Sequence, residues 1–392
     1  MTRSVRVVDA AHPAEVYIAL RDALTGSGDA VVPRSAGGNK AEGSPDREVW
    51  PADGERVAQN VALVIETSGS TGVPKRVALS ADALLASAAA SAGALGGQGQ
   101  WLLALPAHYV AGAQVLVRSL AAETEPVLYG PGHFDPERFA EVARELRHDL
   151  RYTSLVPVQL GRLIDAVEGG SEAVADALRR FDGILVGGQA LNPALRERAE
   201  AVGARIVTTY GSSETAGGCV YDGIPIGTTV VREAEGRLEI SGPVLAEGYL
   251  GDAERTASTF HERDGARWYR TGDLGQVDAG GRVQVFGRAD NVIISGGEKV
   301  LLDAVERVVR ELPGLADSVV VAAPHPDWGQ VPIVVVEGGV GPRLEVVLEV
   351  LADRLGRAAA PDRIIVVDQI ARLDSGKPDR VALSAVAEER EA

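Results

Sequence analysis

The chain has 392 residues, of which 45% are hydrophobic and 24% are charged, and its formal net charge is −16 at pH 7. This length favours two domains over one, and the composition is typical of a soluble globular protein. The negative charge argues against the basic surface that nucleic acid or an anionic membrane requires, so no nucleic-acid partner is expected. Small anionic substrates stay compatible with it, because a pocket sets its own local field.

The composition and the first residues also predict where the protein works. The single cysteine, Cys219, cannot form an internal disulfide, which fits a reducing compartment. The first fifteen residues lack the apolar segment of a secretory signal. The longest apolar stretch, residues 84–95, is shorter than the roughly 20 residues of a membrane span, so we interpret it as a packed helix. We expect a cytoplasmic protein without a membrane span, and leave monomer and homodimer open.

Strands and helices alternate in the first half of the chain. Residues 35–54 are rich in Gly, Pro and charge, which predicts a long surface loop. A helix is predicted from about residue 80, and another at 135–149, where Asp135 is the N-cap, Pro136 takes the first helical position and residues 139, 142, 143 and 146 share an apolar face. Short apolar segments predict strands at 62–66, 101–105, 184–186 and 206–209. This alternation predicts an α/β domain with largely parallel strands and ligands beyond their carboxyl ends.

The pattern changes after about residue 233. Segments 237–241 and 282–286, with a turn at 278–281, predict antiparallel strands. Beyond residue 288 the pattern is α+β, with helices at 303–312 and 344–355 and strands at 319–323, 333–337 and 364–368. We therefore predict a large N-terminal domain, 1–289, with α/β layers and a β-rich part, and a small mobile α+β C-terminal domain, 290–392.

Residues 67–75, Thr-Ser-Gly-Ser-Thr-Gly-Val-Pro-Lys, follow a predicted strand and are suited to a polyphosphate. Hydroxyls donate hydrogen bonds, glycines let backbone N–H groups approach an anion, and Lys75 adds positive charge. They do not form a Walker A loop, because Pro74 precedes the lysine and Arg76 follows it, so a generic P-loop NTPase is excluded. On chemistry alone, a flexible Ser/Gly turn is the competing interpretation.

The same nine residues resemble the phosphate loop of the acyl-adenylate-forming superfamily, which contains acyl-CoA synthetases, firefly-luciferase-like enzymes and peptide-synthetase adenylation domains. Four further segments resemble motifs of that superfamily in the same order. They are Tyr-Gly-Ser-Ser-Glu-Thr at 210–215, Tyr-Arg-Thr-Gly-Asp at 269–273, Gly-Arg-Ala-Asp-Asn-Val-Ile at 287–293 with Gly-Gly-Glu at 296–298, and Ser-Gly-Lys at 375–377. Five ordered matches make chance a poor explanation.

The resemblance implies a site for ATP and Mg²⁺. Tyr210 would pack against adenine, Asp273 would accept hydrogen bonds from the ribose hydroxyls, and Arg288 would assist. The residues expected to hold the β- and γ-phosphates are Ser68, Ser70, Thr71 and Lys75, and the loop residues expected to line the nucleotide site with them are Thr67, Gly69 and Gly72. The other residues expected to line the nucleotide site are Gly188, Gln189, Thr209, Tyr210, Gly211, Asp273 and Arg288.

The resemblance also assigns catalytic roles to three residues. Glu214 would bind Mg²⁺, which suits a single carboxylate plus phosphate oxygens. Thr215 would hydrogen-bond the α-phosphate, and Lys377 would bridge the acyl carboxylate and the α-phosphate as charge develops. Taken alone, each has a plainer interpretation, such as a helix-terminal carboxylate for Glu214 or a solvated surface lysine for Lys377. Their joint order favours the catalytic interpretation.

A second half-reaction with coenzyme A is implied as well. In the superfamily the C-terminal domain swings about a residue that matches Asp290, which withdraws the lysine. The swing would bring in the loop that contains Gly296, Gly297 and Lys299. An exposed hinge aspartate is equally compatible with a plain linker.

Within the superfamily the chain is similar to the o-succinylbenzoate–CoA ligases of menaquinone biosynthesis, in their shortened actinobacterial form. The similarity rests on residues 105–112, 153–159, 210–223 and 293–299, although Ser213 replaces the usual threonine. Only 66 residues precede the phosphate loop, so a reduced N-terminal subdomain is expected. The acyl-pocket residues that the similarity implies are His108, Ser154, Val156, Gly187, Gly188, Gly211 and Gly218. The second carboxylate of this acid needs a cation, and Arg118 and Lys299 are both candidates.

Two alternatives stay open at this point. The chain could be another aryl- or acyl-CoA ligase of the same superfamily. It could also be a non-catalytic adenylate-binding homologue, although a binding module has no need of a transition-state lysine such as Lys377.

Overall fold

A computed structural model describes residues 1–35, 52–67, 75–338, 343–373 and 377–389. The predicted phosphate-loop residues Ser68, Gly69, Ser70, Thr71 and Gly72 lie outside these ranges. Within the described residues the helices are Pro13–Leu24 (α1), Ala81–Leu95 (α2), Val110–Ala121 (α3), Pro136–Ala143 (α4), Pro157–Glu168 (α5), Glu172–Arg180 (α6), Pro193–Ala201 (α7), Ala253–Thr259 (α8), Leu302–Arg310 (α9), Leu344–Leu355 (α10) and Arg380–Glu389 (α11).

The first sheet is built mainly from the first 80 residues. Its strands β1, β2 and β4 are parallel, and β3 and β5 pair antiparallel at either side of them. The strands are Thr2–Asp9 (β1), Ala30–Arg34 (β2), Arg56–Ala58 (β3), Val61–Thr67 (β4) and Lys75–Ser80 (β5). The helix predicted from about residue 80 is confirmed as α2, which has Ser80 as its N-cap. Strand β5 between the phosphate loop and this helix was not predicted, and it forms because its residues pair with β4.

The second sheet carries the parallel strands that the sequence predicted. Strands β6, β7, β8, β9 and β10 are parallel, and β11 and β12 continue the sheet antiparallel beyond β10. The strands are Gln100–Leu103 (β6), Val127–Leu128 (β7), Arg151–Leu155 (β8), Gly183–Val186 (β9), Ile206–Ser212 (β10), Gly217–Tyr221 (β11) and Ile224–Pro225 (β12). The carboxyl ends of parallel strands meet at one edge of a sheet, and ligands of α/β folds bind there.

The third sheet is antiparallel, as predicted for the region after residue 233. Its strands are Val230–Ala234 (β13), Arg237–Ser241 (β14), Phe260–Arg263 (β16), Ala266–Val277 (β17) and Val283–Arg288 (β18). Between β14 and β16 the chain returns to the first sheet, where Gly248–Tyr249 (β15) pairs antiparallel with β5. This excursion brings Tyr249 from the third sheet's region to the edge of the second.

The fourth sheet contains strands from the last quarter of the chain alone. They are Val292–Ser295 (β19), Glu298–Leu301 (β20), Val319–His325 (β21), Gly329–Glu337 (β22) and Arg363–Val367 (β23). Every described strand up to Arg288 belongs to the other three sheets. The large α/β N-terminal part and the smaller α+β C-terminal part that the sequence predicted are therefore confirmed.

The main core fills the space between the first two sheets. Helices α1, α2 and α3 lie there, and Leu20, Leu84 and Leu116 are fully buried among them. A second core lies on the other face of the second sheet, under α4 to α7, and contains Phe139 and Phe181. Sheets that are covered on both faces hold their strand ends rigidly, which suits a site built at those ends.

Helix α4 begins as predicted but ends earlier. The Asp135 carboxylate caps it by accepting the Arg138 N–H at 2.8 Å, and Phe139 is fully buried. It ends at Ala143 and not near residue 149, since the Arg144 N–H bonds tightly back to Glu141 and the chain must turn into β8. Across the described ranges, the chain contains no helix with the length and apolarity of a membrane span.

Candidate active site

The site lies at the carboxyl ends of β8, β9 and β10, where three backbone segments approach closely. A Cβ atom on Gly187 would lie 2.2 Å from the Thr209 hydroxyl oxygen, so only glycine fits at this position. Gly188 has a φ of +81° and lies beside Val156, the N-cap of α5. Gln189 follows and is half-buried. The predicted residues Gly187, Gly188, Thr209 and Val156 are thus brought together.

The hairpin of β10 and β11 forms a second wall through its glycines. Gly211 is paired with Gly218, and a Cβ on Gly211 would lie 2.1 Å from the Gly217 carbonyl oxygen. A Cβ on Gly218 would lie 3.2 Å from both Thr209 and the Tyr221 ring. Because no side chain projects from Gly211 or Gly218, this edge of the sheet has space for a ligand.

Glu214 is a buried carboxylate that follows the end of β10. It lies in the short turn Ser213–Thr215 after β10 and is 8% exposed. The Tyr249 hydroxyl donates to its Oε1 at 2.8 Å, and within the described ranges the structure shows no ion pair to it. Burial, and next the Glu214 charge, raise the pKa of Tyr249, so this phenol stays a donor. A buried carboxylate held by one neutral donor is chemically suited to a hard cation.

Thr215 occupies the same turn but is fully buried. Its hydroxyl accepts the Ser212 N–H at 2.9 Å and lies 2.8 Å from the Gly217 carbonyl oxygen, to which it donates. In this geometry its single hydrogen is used inside the turn. Thr215 therefore supports Glu214, and the contact with an α-phosphate predicted for it stays a prediction.

Asp273 lies on β17 and faces β10 across the cleft. The Tyr210 hydroxyl donates to its Oδ2 at 2.6 Å, and Arg288 Nη1 is 3.5 Å from Oδ1. Burial raises the pKa of Asp273, while the Tyr210 hydrogen bond and the Arg288 charge oppose that rise. Burial also raises the pKa of Tyr210, with Asp273 adding to the effect. The hydroxyl of Tyr210 is thereby fixed on the carboxylate, leaving its ring beside the strand end.

Arg288 joins Asp273 to the predicted hinge residue Asp290. Its Nε and Nη2 bind the two oxygens of Asp290, each at 3.1 Å. The hydrogen bond to Asp290 raises the pKa of the Arg288 guanidinium, which therefore stays charged. Burial alone would raise the pKa of Asp290, but the Arg288 pairing lowers it below its ordinary value. One guanidinium thus pairs with two carboxylates, one in the cleft and one at the predicted hinge.

Lys377 reaches this cleft from the C-terminal part of the chain. A Cβ placed on Gly188 would lie 4.0 Å from Lys377 Cε, although the two residues are far apart in sequence. Desolvation, and next the Arg288 charge, lower the pKa of Lys377, while Asp273 and Glu214 oppose the shift. Lys377 follows the undescribed residues 374–376, and its carbonyl oxygen accepts the Leu373 N–H at 2.8 Å. The structure therefore brings three charged residues of the predicted site, Lys377, Glu214 and Asp273, to one cleft.

Lys75 and Thr67 mark the ends of the predicted phosphate loop. They are paired across β4 and β5, and the Thr67 hydroxyl lies 3.5 Å from the Lys75 carbonyl oxygen. Lys75 lies over the Tyr249 ring, with Nζ 5.8 Å from its centroid. Since Tyr249 binds Glu214, the loop ends lie on the same side of the cleft as that carboxylate.

The predicted acyl side lies between the end of β8 and the segment before α3. Ser154 is buried on β8, and His108 is half-buried with its ring 4.1 Å from that of Tyr109. Further along α3, Arg118 is a buried guanidinium, 6% exposed. Arg118 lies 4.8 Å from the Trp101 ring centroid, and its Nη2 is 3.4 Å from the Tyr221 hydroxyl.

Arg118 is a buried cation without a carboxylate partner among the described residues. Within the described residues it forms no ion pair, and its buried Nε has no hydrogen-bond partner. Buried charges are normally paired, because an uncompensated charge in the interior is costly. Through Tyr221, whose ring contacts Gly218, Arg118 lies behind the wall of the predicted acyl pocket.

The glycine turn predicted for coenzyme A lies elsewhere. Gly296 and Gly297 form the turn between β19 and β20, Lys299 follows on β20, and the contacts of Gly296 are within the fourth sheet. The Gly296 N–H donates to the Trp328 carbonyl oxygen at 3.0 Å, and a Cβ on Gly296 would lie 2.5 Å from the Trp328 ring. Trp328 is 42% exposed. In this arrangement Lys377, and not the glycine turn, is next to Gly188.

Sequence reasoning missed Tyr249 in the cleft, and Trp328 and Asp303 outside it. Tyr249 follows a Glu-Gly pair without any phosphate or metal signal, and only the return of β15 brings it to Glu214. For Trp328 the sequence offered one usable signal, a tryptophan directly after an aspartate. Asp303 was assigned only to a predicted helix start.

Two family models and one curated relative match most of the chain. The AMP-binding enzyme model matches residues 11–250, and the AMP-binding enzyme C-terminal domain model matches residues 304–377. The chain is 40% identical over 337 residues to a probable 2-succinylbenzoate–CoA ligase of Mycobacterium tuberculosis, covering 84% of this chain and 85% of that relative.

Two solved structures have the same fold. Amide bond synthetase McbA from Marinactinospora thermotolerans has a TM-score of 0.73 at 26% identity, over 98% of this chain and 80% of that chain. The o-succinylbenzoate CoA synthetase (MenE) of Bacillus subtilis, in complex with the acyl-adenylate intermediate OSB-AMP, has a TM-score of 0.71 over 94% of this chain and 80% of that chain. At 24% identity the second likeness concerns the fold alone.

The close approach at Gly211 predicts a stability effect. We expect Gly211→Ala to lower the free energy of unfolding by about 1–3 kcal/mol, because its Cβ would overlap the Gly217 carbonyl. Gly93→Ala is the matched control, since it lies in an exposed part of α2 with open space around it and should raise stability by about 0.4–1 kcal/mol. Urea unfolding measures both, and a Gly211→Ala variant as stable as the parent would contradict the described hairpin.

Proposed function

The chain belongs to the AMP-binding enzyme family, and from this premise we propose that it joins o-succinylbenzoate to coenzyme A. In the first step a carboxylate oxygen of the acid attacks the α-phosphorus of ATP, so that the acyl-adenylate forms and pyrophosphate leaves. In the second step the thiol of coenzyme A gives up its proton and attacks the acyl carbonyl carbon, and AMP leaves as the thioester forms. The position of Lys377 beside Gly188, in the cleft of Glu214 and Asp273, is the observation that carries the proposal.

The first step has to bring two anions together. Binding groups must therefore neutralise charge and align the carboxylate with the bond to pyrophosphate. We assign the neutralising role to Lys377, whose ammonium reaches the cleft from the C-terminal side. Neutralisation at a developing negative charge lowers the barrier most when the group is already in place. The Leu373 N–H donates to the Lys377 carbonyl oxygen and so helps to hold this residue there.

Glu214 is the proposed ligand of Mg²⁺. Its burial, its single neutral donor and the absence of an ion pair within the described residues suit a hard cation. No cluster of three or more His, Cys, Asp or Glu side chains suited to a metal is present in the described ranges, so the ion would take its other ligands from phosphate oxygens and water. Bound Mg²⁺ would supply positive charge to the leaving pyrophosphate.

Asp273 is proposed to hold the ribose of ATP. It keeps one oxygen on the Tyr210 hydroxyl, and its second oxygen has only the long contact to Arg288. A carboxylate oriented in this way can accept hydrogen bonds from sugar hydroxyls. Tyr210, Gly188, Gln189 and Thr209 would then frame the adenosine at the ends of β9 and β10.

Arg118 is the better of the two candidates for the second carboxylate of o-succinylbenzoate. Lys299 is an exposed residue of strand β20 in the fourth sheet. Arg118 is buried next to the Tyr221 ring and lacks an internal carboxylate partner in the described residues. Arginine binds carboxylates with two parallel hydrogen bonds, so a carboxylate arriving through the acyl pocket would satisfy it.

The second step requires a different arrangement. We propose a boundary between residues 289 and 290 and a rotation of the C-terminal domain about Asp290 that carries Lys377 away. The turn of Gly296 and Gly297 would then approach the adenylate, with Trp328 beside it as an exposed aromatic surface for coenzyme A. The described arrangement suits the first step.

The first experiment is ATP–pyrophosphate exchange against a panel of aromatic, aryl and fatty acids, followed by AMP release with and without coenzyme A. We expect exchange with o-succinylbenzoate and AMP release that depends on coenzyme A. Activity with fatty or simple aryl acids alone would support the alternative of another acyl-CoA ligase. A chain that binds ATP but catalyses no exchange would be a non-catalytic homologue.

Lys377→Ala should reduce adenylation by roughly two or more orders of magnitude, the scale of removing one transition-state contact. Pyrophosphate exchange measures this loss. Transfer of preformed acyl-adenylate to coenzyme A is the internal control and should be nearly unchanged. Exchange at the parental rate would show that Lys377 has no role in the step.

The adenylation rate should also fall on the alkaline side at a lower pH than free lysine would give. The pKa of Lys377 is lowered from 10.5, so the ammonium loses its proton, and its charge, earlier as the pH rises. Lys377→Arg keeps the charge to above about pH 12 and should remove this decline, even at reduced activity. Exchange rates between about pH 6 and about pH 10 test it, and the same decline in both proteins would assign it to another group.

Arg118→Met should impair selectivity for the dicarboxylic acid. We expect kcat/KM for o-succinylbenzoate to fall by about 10- to 100-fold, the effect of losing a hydrogen-bonded charge pair. The same acid without its spare carboxylate should lose little, so the ratio of the two values separates recognition from a folding defect. Lys299→Met is the control and should keep the parental ratio. A ratio that changes in Lys299→Met instead would reverse the assignment.

A further inference from the structure

Helix α9 turns one face toward the N-terminal domain. Asp303 and Arg307 are four residues apart and therefore share a side of this helix. The Asp303 carboxylate accepts the backbone N–H of Arg288 at 2.9 Å, and Arg307 Nη2 donates to the Phe286 carbonyl oxygen at 2.7 Å. Both contacts join the C-terminal helix to β18, the last strand before the proposed hinge.

Asp303 packs closely against the backbone just before the proposed hinge residue. Gly287 has a φ of +150°, and a Cβ there would lie 2.4 Å from Asp303 Cβ and 2.5 Å from its Oδ2. The Asn291 side-chain amide lies 3.1 Å and 3.0 Å from the two carboxylate oxygens. Asp303 therefore binds the chain on both sides of Asp290, at Arg288 and at Asn291.

The two hydrogen bonds of Asp303 respond differently to a rotation about Asp290. Arg288 precedes that residue, so its N–H moves with the N-terminal domain and must leave Asp303 when the C-terminal domain turns. Asn291 follows it and can stay on Asp303. The bond from Arg288 therefore exists only in the described arrangement of the two domains.

Asp303 also connects the proposed hinge to the segment that follows Lys377. Arg380, three residues after Lys377, lies with Nη2 3.7 Å from Asp303 Oδ1 and 2.6 Å from Glu306 Oε2. Glu306 is buried and accepts the Val320 N–H at 2.9 Å, which ties this group to the fourth sheet. Contacts therefore run from the Arg288 N–H through Asp303 and its ion pair with Arg380 to the backbone next to Lys377, where the Arg380 N–H donates to the Pro378 carbonyl oxygen.

We propose that Asp303 is a positioning residue that holds the C-terminal domain closed on Arg288 and thereby keeps Lys377 in the cleft for adenylation. This proposal rests on the two-step function proposed above. Asp303 touches no substrate; it acts through the hinge and through Arg380. Replacing Asp303 would favour the rotated arrangement proposed for the second step, so the first step would be slowed and the second would not.

The two half-reactions test the proposal with the full-length chain. For Asp303→Ala we expect pyrophosphate exchange with o-succinylbenzoate to fall by about 10- to 100-fold, the effect of one hydrogen bond to a charged group. Transfer of preformed acyl-adenylate to coenzyme A should keep the parental rate or rise. Asp303→Asn keeps one acceptor oxygen and should lose less. Glu311→Ala, which breaks the exposed pair with Arg354 just beyond α9, is the matched control and should change neither step.

A second readout does not depend on catalysis. Arg288 precedes a peptide bond that trypsin can cut, and its backbone is held by Asp303. Without substrates, we expect cleavage after Arg288 to be several-fold faster in Asp303→Ala than in the parent or in Glu311→Ala. Equal cleavage, or equal losses in both half-reactions, would overturn the proposal. If the parent itself showed no exchange with any acid, the proposed function would fail, while the trypsin comparison would still decide the role of Asp303.

Discussion

The guanidinium of Arg288 lies between the carboxylates of Asp273 and Asp290, and the geometry of the cleft depends on this double pairing. Asp273 is a residue of the predicted nucleotide site, while Asp290 is the first residue of the predicted C-terminal domain. A planar fork of donors can serve both because it presents two edges to two acceptors. The backbone N–H of the same residue is held by Asp303. A single residue thus joins the nucleotide side, the hinge and the domain that carries Lys377.

Charge in this protein is distributed against its overall sign. The chain carries a net −16, yet the acyl and phosphate sides of the cleft present Arg118, Lys75 and Lys377. An interior cation such as Arg118 costs solvation free energy that no internal carboxylate among the described residues repays. Its contacts with the Trp101 ring and the Tyr221 hydroxyl offset part of that cost and fix its orientation. Such an arrangement suits the recognition of an anion that arrives with the substrate.

Much of the fold could be predicted because local patterns and tertiary packing agree. The parallel strands β6, β9 and β10 and the helix α10 were predicted within a few residues, since apolar runs and helical periodicity are local properties. Strand β5 and the early end of α4 were not, because the pairing of β5 with β4 and β15, and the turn into β8, depend on distant parts of the chain. Tyr249 and Asp303 escaped notice for the same reason, as neither stands in a motif that marks its partner.

The sequence by itself determined the family, because five segments resemble the motifs of one superfamily in the same order. This resemblance also made Glu214, Asp273 and Lys377 the candidate site residues. The tertiary structure alone decided which of them meet. It brought Lys377 to Gly188 and left the Gly296 turn on Trp328, and it distinguished the buried Arg118 from the strand residue Lys299. It also showed that the hydroxyl of Thr215 is used inside its own turn. Proximity across domains is set by packing and by hydrogen bonds between residues far apart in the chain, and no local pattern encodes it.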